Sequence, residues 1–345
     1  MDIQKLTNTV EELLAPGKGI LAADESSGTI KRRFDSIGVE STEENRRDYR
    51  EMLFRAPGVS EYISGVILFD ETLRQNGADG TPLSKVLTDR GMVPGIKVDK
   101  GTQAIPGSPG ELMTEGLDGL RDRLNEYAGL GARFAKWRAV ITIGDSIPTS
   151  RCLDVNAHAL ARYAALCQEA GIVPIVEPEV LMDGEHDIDR CDEVNEATLR
   201  EVFAQLSRQG VALEGMLLKP SMVLSGNKAS DRACAEEVGE KTVGCFMRSV
   251  PAAMPGVVFL SGGQADDEAI VNLNAVNLRA AQVGAPWVLS YSYGRALQAA
   301  PLKAWSGQAA NVEAAQQAFH RRAMLSSAAR QGAYVPEMEK ELTGV

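Results

Sequence analysis

The chain has 345 residues, of which 44% are hydrophobic and 24% are charged, a composition typical of a globular protein that can bury a large core. Its formal net charge is −11, which disfavours an extended interface with nucleic acid or with an anionic membrane. A small anionic ligand therefore needs a local concentration of basic residues around it.

The beginning of the chain has no targeting pattern. Residues 1–19 lack the basic-then-apolar order of a signal peptide, and no apolar run approaches the roughly 18 residues of a membrane helix. Apolar residues at helical spacing from Ile3 to Leu14 instead predict a first helix. The five cysteines include no CxxC pair, which disfavours a disulfide framework and favours reduced thiols. These features predict a cytoplasmic protein.

Eight short apolar runs follow, and their starts lie about 30 to 45 residues apart. Such runs are typical of strands buried on both faces, and most intervals between them have the spacing of amphipathic helices. The runs are Gly19–Ala23, Ile63–Phe69, Pro94–Val98, Ala132–Trp137, Val173–Val176, Gly215–Leu218, Val257–Leu260 and Trp287–Leu289. This alternation predicts an α/β chain that forms one (β/α)8 TIM barrel over residues 1–345, rather than an open doubly wound sheet.

Three helices between the runs can be placed from the sequence. We predict one that opens at Thr42-Glu43-Glu44 and two more over Asp154–Ala170 and Glu196–Gln209. The segment 333–345 is charged and has no clear helix stop, so we predict a mobile tail there.

Three lysines lie at the ends of predicted strands: Lys97, Lys136 and Lys219, with Arg138 close behind Lys136. In a barrel the carboxyl ends of all strands meet at one mouth, so these cations should converge. Structural ion pairs with nearby carboxylates would also explain buried lysines. Crowded ammonium groups lower one another's pKa, however, and a lysine so affected can act as a nucleophile. Lys219, which follows an apolar run and precedes Pro220, is the best candidate.

Carboxylates occur at the same level of the predicted barrel. Glu177 and Glu179 are two positions apart in one strand and should point to the same side. Paired carboxylates can separate their pKa values, so that one serves as an acid while the other stays ionised. Salt bridges to the lysines are the structural alternative. Asp24, at the end of the first run, is a further candidate base.

Glycine-rich segments follow the last two runs. Ser261-Gly262-Gly263 comes after the seventh run and Gly294-Arg295 after the eighth, where a TIM barrel commonly holds a phosphate. Glycine lets backbone N–H groups approach an anion, and arginine adds a bidentate contact. A second basic patch is Lys31-Arg32-Arg33, near Lys97, although it could equally be a solvated helix face.

Metal and nucleotide sites have little support in the sequence. The histidines are His158, His186 and His320, which show no paired spacing for a metal. No GxGxxG or Walker pattern occurs. We therefore expect neither a metal nor a nucleotide cofactor.

The chain resembles the class I fructose-1,6-bisphosphate aldolases from about Leu6 to Pro336. The stretches that carry the resemblance are GKGILAADES, STEENRRDYR, GIKVDKG, FAKWR, GIVPIVEPEVL, LLKPSMV, FLSGGQ and SYGRALQ. The resemblance implies metal-independent, reversible cleavage of fructose 1,6-bisphosphate to dihydroxyacetone phosphate and glyceraldehyde 3-phosphate. It also implies a place in glycolysis and gluconeogenesis and a homotetramer.

The resemblance further implies roles for single residues. Lys219 matches the Schiff-base lysine, and Lys136 matches the cation beside the Schiff base. Glu177 matches the acid and base of carbinolamine dehydration, with Glu179 as its partner. Asp24 matches the residue that handles the proton of the C4 hydroxyl.

Two sets of residues match the phosphate sites of the family. Those that match the C1-phosphate cradle are Ser261, Gly262, Gly263, Ser292, Gly294 and Arg295. Those that match positions around the C6-phosphate are Ser26, Arg33, Lys97 and Arg138.

The chain departs from the animal members of the family at its C-terminus. Those members have a longer tail whose terminal tyrosine assists proton transfer at the dihydroxyacetone phosphate carbanion, whereas this sequence ends at Leu342-Thr343-Gly344-Val345. Tyr334 matches a different position and does not inherit that role. Two alternative functions remain: another Schiff-base sugar-phosphate aldolase or transaldolase, and a non-catalytic scaffold that retains the barrel.

Overall fold

A computed structural model describes residues 2–341 of the chain. The strands in this part are β1 Gly19–Ala23, β2 Ile63–Leu68, β3 Val93–Lys97, β4 Thr102–Ala104, β5 Leu112–Thr114, β6 Phe134–Ile141, β7 Val173–Val180, β8 Leu217–Leu218, β9 Gly256–Phe259 and β10 Val288–Tyr293. The helices are α1 Ile3–Leu13, α2 Ser27–Asp35, α3 Glu43–Phe54, α4 Asp70–Arg74, α5 Leu83–Thr88, α6 Leu120–Gly129, α7 Ser150–Glu169, α8 Ile188–Arg208, α9 Ala235–Ser249, α10 Asp266–Val283, α11 Arg295–Trp305, α12 Val312–Arg330 and α13 Met338–Glu341.

Eight parallel strands close into a barrel in the order β1-β10-β9-β8-β7-β6-β3-β2. The predicted TIM barrel is therefore confirmed, and each of the eight apolar runs supplies one of its strands. The sequence missed the antiparallel hairpin of β4 and β5, which is inserted after β3. It also placed two helix starts too late, since α7 begins at Ser150 and α8 at Ile188.

Strand side chains divide between the barrel interior and the layer under the helices. Inward-facing residues such as Ile20, Phe134 and Ile175 form one buried cluster with Leu6 and Leu13 of α1. Alternate strand residues pack in a second cluster with the surrounding helices. Helix α1 covers one end of the barrel, whereas the carboxyl ends of the strands border open cavities.

Glycine makes room for a large aromatic side chain inside the barrel. A Cβ on Gly95 of β3 would lie only 2.3 Å from Cζ of Phe134, which belongs to the neighbouring strand β6. A Cβ on Gly65 of β2 would also crowd this ring and Leu13. Phe134 thus fills the interior volume that the two glycines leave empty, and the packing beneath the mouth is dense.

The segment after α12 packs against the barrel helices as far as it is described. The backbone N–H of Tyr334 donates to Asn274 Oδ1 at 3.0 Å, and Arg322 Nη1 lies 2.7 Å from Glu339 Oε1. Residues 342–345, which belong to the predicted mobile tail, lie outside the described residues. Within residues 2–341 no helix is both long and apolar enough to cross a lipid bilayer.

Candidate active site

Lys219 lies at the carboxyl end of the short strand β8. The strand has two residues, yet the backbone N–H of Lys219 still donates to Val176 O of β7 at 2.7 Å, which fixes the position of the lysine. The residue is 4% exposed, and it lines a cavity of about 500 Å³ at the barrel mouth. The structure therefore holds this amine on a rigid element and directs it into an open space.

Four charged side chains form a continuous row beside this cavity. Lys219 Nζ lies 3.2 Å from Glu177 Oε1, and Lys136 Nζ lies 3.3 Å from Glu177 Oε2. Lys136 Nζ also lies 2.7 Å from Asp24 Oδ2. The row comes from β8, β7, β6 and the end of β1, so residues far apart in sequence meet as predicted, with cations and carboxylates in alternation.

The charges in the row shift the pKa values of two of its members, Asp24 and Lys136. Burial raises the pKa of Asp24, but Lys136, Lys219 and Lys97 together outweigh this effect and lower it to about 2. Burial lowers the pKa of Lys136, but Asp24 and Glu177 outweigh it and the net shift is upward. The expectation that crowded lysines lower one another's pKa is therefore wrong for Lys136, because carboxylates contact it on both sides. The raised pKa keeps Lys136 charged at neutral pH, which makes it a poor nucleophile.

Two further ion pairs lie around this row. Arg138 Nε donates to Glu179 Oε2, so Glu179 pairs with an arginine although it faces the same cavity as Glu177. Lys97 Nζ lies 2.6 Å from Oδ1 of Asp99, a partner that the sequence did not single out. The Arg138–Glu179 pair depends on how β6 and β7 are aligned, which the sequence does not show, whereas Lys97 and Asp99 are only two positions apart.

A candidate anion site lies on the same cavity, between the ends of β9 and β10. Gly262 adopts a left-handed conformation with φ of +55°, and Arg295 Nη2 donates to Gly262 O at 2.9 Å. Ser292 Oγ is buried and has no hydrogen-bond partner among the described residues. Gly294 precedes α11 and offers no side chain to cap its first N–H groups, so the amino terminus of this helix is free for an anion.

The predicted C1-phosphate residues are not all equally placed. Ser261, Gly262, Ser292, Gly294 and Arg295 line the same cavity as Lys219. Gly263 instead lines a small space behind Gly262, next to Met182. A side chain at position 263 would therefore point toward Met182 rather than into the mouth.

A larger cavity of about 840 Å³ adjoins the first and shares several of its lining residues. The four predicted C6-phosphate residues line it: Ser26, Arg33, Lys97 and Arg138. Of the basic patch in α2, Arg33 faces both cavities, whereas Lys31 pairs with Asp35 at 2.8 Å on the exposed surface of the helix. Lys31 thus belongs to a solvent-exposed helix face, whereas Arg33 does not.

The comparisons with known proteins agree with this geometry. The family model described as "Glycolytic: Fructose-bisphosphate aldolase class-I" matches residues 5–344. The chain belongs to the class I fructose-bisphosphate aldolases. Its activity is that of a glycolytic class I fructose-bisphosphate aldolase, a class that needs no metal.

Individual relatives cover almost the whole chain. The probable fructose-bisphosphate aldolase class 1 of Xanthomonas campestris pv. campestris is 58% identical over 325 residues, which are 94% of this chain and 96% of the relative. Fructose-bisphosphate aldolase 4, cytosolic, of Arabidopsis thaliana is 54% identical over 92% of this chain and 81% of its own length. The Plasmodium falciparum fructose-bisphosphate aldolase, solved with TRAP and a small-molecule inhibitor, superposes with a TM-score of 0.94 at 48% identity and 96% coverage of both chains.

Proposed function

We propose that Lys219 forms a Schiff base with C2 of fructose 1,6-bisphosphate and that the chain cleaves this substrate reversibly to dihydroxyacetone phosphate and glyceraldehyde 3-phosphate. One observation carries the proposal: the amine is buried at the mouth, 3.2 Å from a carboxylate and on the same cavity as the glycine-rich anion site. A ketose whose C1-phosphate occupies that anion site would present its C2 carbonyl to Lys219.

Glu177 has the position needed to move the protons of imine formation. It takes a proton from the Lys219 ammonium, and the neutral amine then adds to C2 to give a carbinolamine. Glu177 returns the proton to the carbinolamine oxygen, water leaves, and a protonated iminium remains. The Oε2 atom of Glu177 is buried and lies 3.3 Å from the Lys136 ammonium, which holds the carboxylate in place beside Lys219.

The iminium then serves as the electron sink for cleavage. The C4 hydroxyl loses its proton, the C3–C4 bond breaks, and its electron pair enters the iminium to give a neutral enamine and glyceraldehyde 3-phosphate. Asp24 is the proposed acceptor of the hydroxyl proton. Its lowered pKa of about 2 keeps it ionised at neutral pH, and Lys136 fixes its carboxylate at 2.7 Å.

The two phosphates provide binding energy remote from the reacting carbons. Arg295 and Ser292 would bind the C1-phosphate, and Lys97, Arg138 and Arg33 would surround the C6-phosphate. Contacts at both ends restrict the sugar to the orientation in which C2 meets Lys219. This arrangement favours a bisphosphate over a monophosphate.

Borohydride trapping tests the proposal. Incubation with dihydroxyacetone phosphate and sodium borohydride should leave a stable adduct, located on Lys219 by peptide mass spectrometry. The Lys219→Arg variant is the control and should remain unmodified. Absence of an adduct on the wild-type chain would favour the non-catalytic scaffold, and an adduct on Lys136 or Lys97 would assign the nucleophile elsewhere. EDTA should leave the cleavage rate unchanged.

We also infer a cytoplasmic homotetramer that serves both glycolysis and gluconeogenesis. The name of the cytosolic Arabidopsis relative and the family membership support this inference. Light scattering coupled to size-exclusion chromatography should give a mass near four times 37.0 kDa. A monomeric mass at micromolar concentration would contradict it.

A further inference from the structure

A buried chain of hydrogen bonds leads from the outer helices to Arg33 at the mouth. Tyr49 of α3 donates its hydroxyl to Gln298 Oε1 at 3.2 Å. Gln298 Nε2 donates to Glu25 Oε1 at 2.7 Å, and Arg33 Nη1 donates to the same oxygen at 2.6 Å. Tyr49 is 0% and Gln298 1% exposed, so these hydrogen bonds run through the protein interior until they reach the guanidinium of Arg33.

The orientation of the Gln298 amide follows from its neighbours. Its nitrogen faces two acceptors, Glu25 Oε1 and Ala22 O, the latter also at 2.7 Å. The amide group has two N–H donors, so both are used, and the oxygen remains to accept from Tyr49. A flipped amide would direct its oxygen at two other acceptors. The side chain is therefore held in one state between the loop after β1 and helix α3.

Arg33 depends on this arrangement for its position. Its guanidinium is one quarter exposed, and Glu25 is the carboxylate that contacts it in the part of the chain that the structure describes. The other oxygen of Glu25 makes no hydrogen bond there and lies 3.7 Å from the fully buried Arg50. Gln298 is thus the neutral donor that fixes the Glu25 oxygen to which Arg33 is bound.

We infer that Gln298 and Tyr49 are positioning residues that hold Arg33, through Glu25, toward the C6-phosphate of the substrate. This inference rests on the proposed function. Gln298 lies one helical turn after Arg295 in α11, so the same helix supports both phosphate sites, one directly and one through a buried carboxylate. The sequence motifs do not predict this positioning role, because it depends on the contact between α11 and the end of β1.

Steady-state kinetics with two substrates test the inference. Gln298→Met keeps the approximate shape of the side chain and removes both donors. Because one hydrogen bond contributes on the order of 1 kcal/mol, we expect KM for fructose 1,6-bisphosphate to rise roughly fivefold. The kcat value should stay within about twofold of wild type, and KM for fructose 1-phosphate, which lacks the C6-phosphate, should stay unchanged. Gln282→Met, on the exposed surface of α10, is the matched control and should match wild type.

A double-mutant cycle separates positioning from a merely structural role. In an Arg33→Ala background, Gln298→Met should have no further effect on KM, since the group that it positions is gone. An equal rise in KM for both substrates, or an undiminished effect in the Arg33→Ala background, would overturn the inference. If Gln298→Met does not fold, Tyr49→Phe tests the same series of hydrogen bonds. This variant should raise KM for the bisphosphate by roughly two- to threefold.

Borohydride trapping of the same proteins tests the Schiff base on Lys219 separately from the positioning role of Gln298 and Tyr49. Wild type, Gln298→Met and Tyr49→Phe should all give the Lys219 adduct with dihydroxyacetone phosphate, which has no C6-phosphate. Absence of the adduct in wild type would refute the proposed Schiff base. An adduct in all three proteins, with no change in KM for the bisphosphate, would refute only the positioning role.

Discussion

Lys219 Nζ and Glu177 Oε1 lie 3.2 Å apart, close enough for a proton to pass between them without an intervening group. Both residues are 4% exposed, so bulk water has little access to this pair. The contact joins the amine to a carboxylate that can both remove its proton and return it to the carbinolamine.

Glu177→Gln should therefore lower kcat by about 100-fold or more, because the amide keeps the shape of the side chain but cannot transfer a proton. Stopped-flow assays and the rate of borohydride trapping should both report slower imine formation. Glu185→Gln, an exposed change in the loop after the same strand, is the control and should behave as wild type. A normal trapping rate in Glu177→Gln would assign the proton transfers to another group.

The two phosphate sites should respond differently to loss of a cation. Arg295→Ala should lower kcat/KM for both fructose 1,6-bisphosphate and fructose 1-phosphate, roughly 10- to 100-fold, since both carry the C1-phosphate. Lys97→Ala should lower kcat/KM by a similar factor for the bisphosphate and leave the monophosphate nearly unchanged. Equal losses for the two substrates in Lys97→Ala would remove Lys97 from the C6-phosphate site.

Asp24 should make folding stability depend on pH under acidic conditions. An unfolded aspartate titrates near ~3.9, whereas the folded-state pKa of Asp24 is lowered to about 2. Its stabilisation is therefore fully present above about pH 4 and is lost as the pH falls toward 2. Asp24→Asn lacks this contribution, so its free energy of unfolding should fall less steeply between pH 5 and pH 3.

Urea unfolding at stepped pH values measures this difference. Asp89→Asn, which removes one member of an exposed ion pair with Lys85, should follow the wild-type slope, because exposed pairs contribute little. Parallel slopes for Asp24→Asn and wild type would mean that the folded chain does not hold Asp24 ionised at low pH.

Gly95→Ala should destabilise the barrel. The new methyl group would lie 2.3 Å from Phe134 Cζ if nothing moved, and the ring is enclosed on all sides. Overpacking of this kind typically costs about 1–3 kcal/mol of unfolding free energy. Calorimetry should show a lower Tm than wild type, whereas Gly129→Ala, where a Cβ has open space, should be neutral. An unchanged Tm in Gly95→Ala would show that β3 and β6 can separate at little cost.

The barrel could be predicted because its strands are buried on both faces and therefore appear as uninterrupted apolar runs. The first run coincides with β1, and the convergence of Lys97, Lys136 and Lys219 follows from the rule that parallel strands end at one mouth. This convergence can be predicted without knowing how the strands are aligned. The order of the strands in the chain and their burial are enough to predict which residues meet at the mouth.

The remaining features depend on contacts that a linear pattern does not contain. The start of α8 was missed because Asp187, which caps it, lies in a polar stretch that resembles a loop. The strands β4 and β5 have only three residues each, and all three residues of β4 are exposed, so the hairpin lacks an apolar run of strand length. The upward pKa shift of Lys136 requires two carboxylates from different strands, and only the closed barrel brings them to it.

The row from Asp24 through Lys136 and Glu177 to Lys219 carries two negative and two positive charges, so it is neutral as a set. An iminium on Lys219 has the same charge as the ammonium it replaces, and the row therefore needs no electrostatic rearrangement when substrate becomes attached. The enamine nitrogen is uncharged, but Asp24 at that stage holds the proton of the C4 hydroxyl, so the row still has no net charge. Protonation of the enamine carbon restores the cation on Lys219, and loss of the proton from Asp24 restores its carboxylate, so the row regains its starting charges before the second product is released.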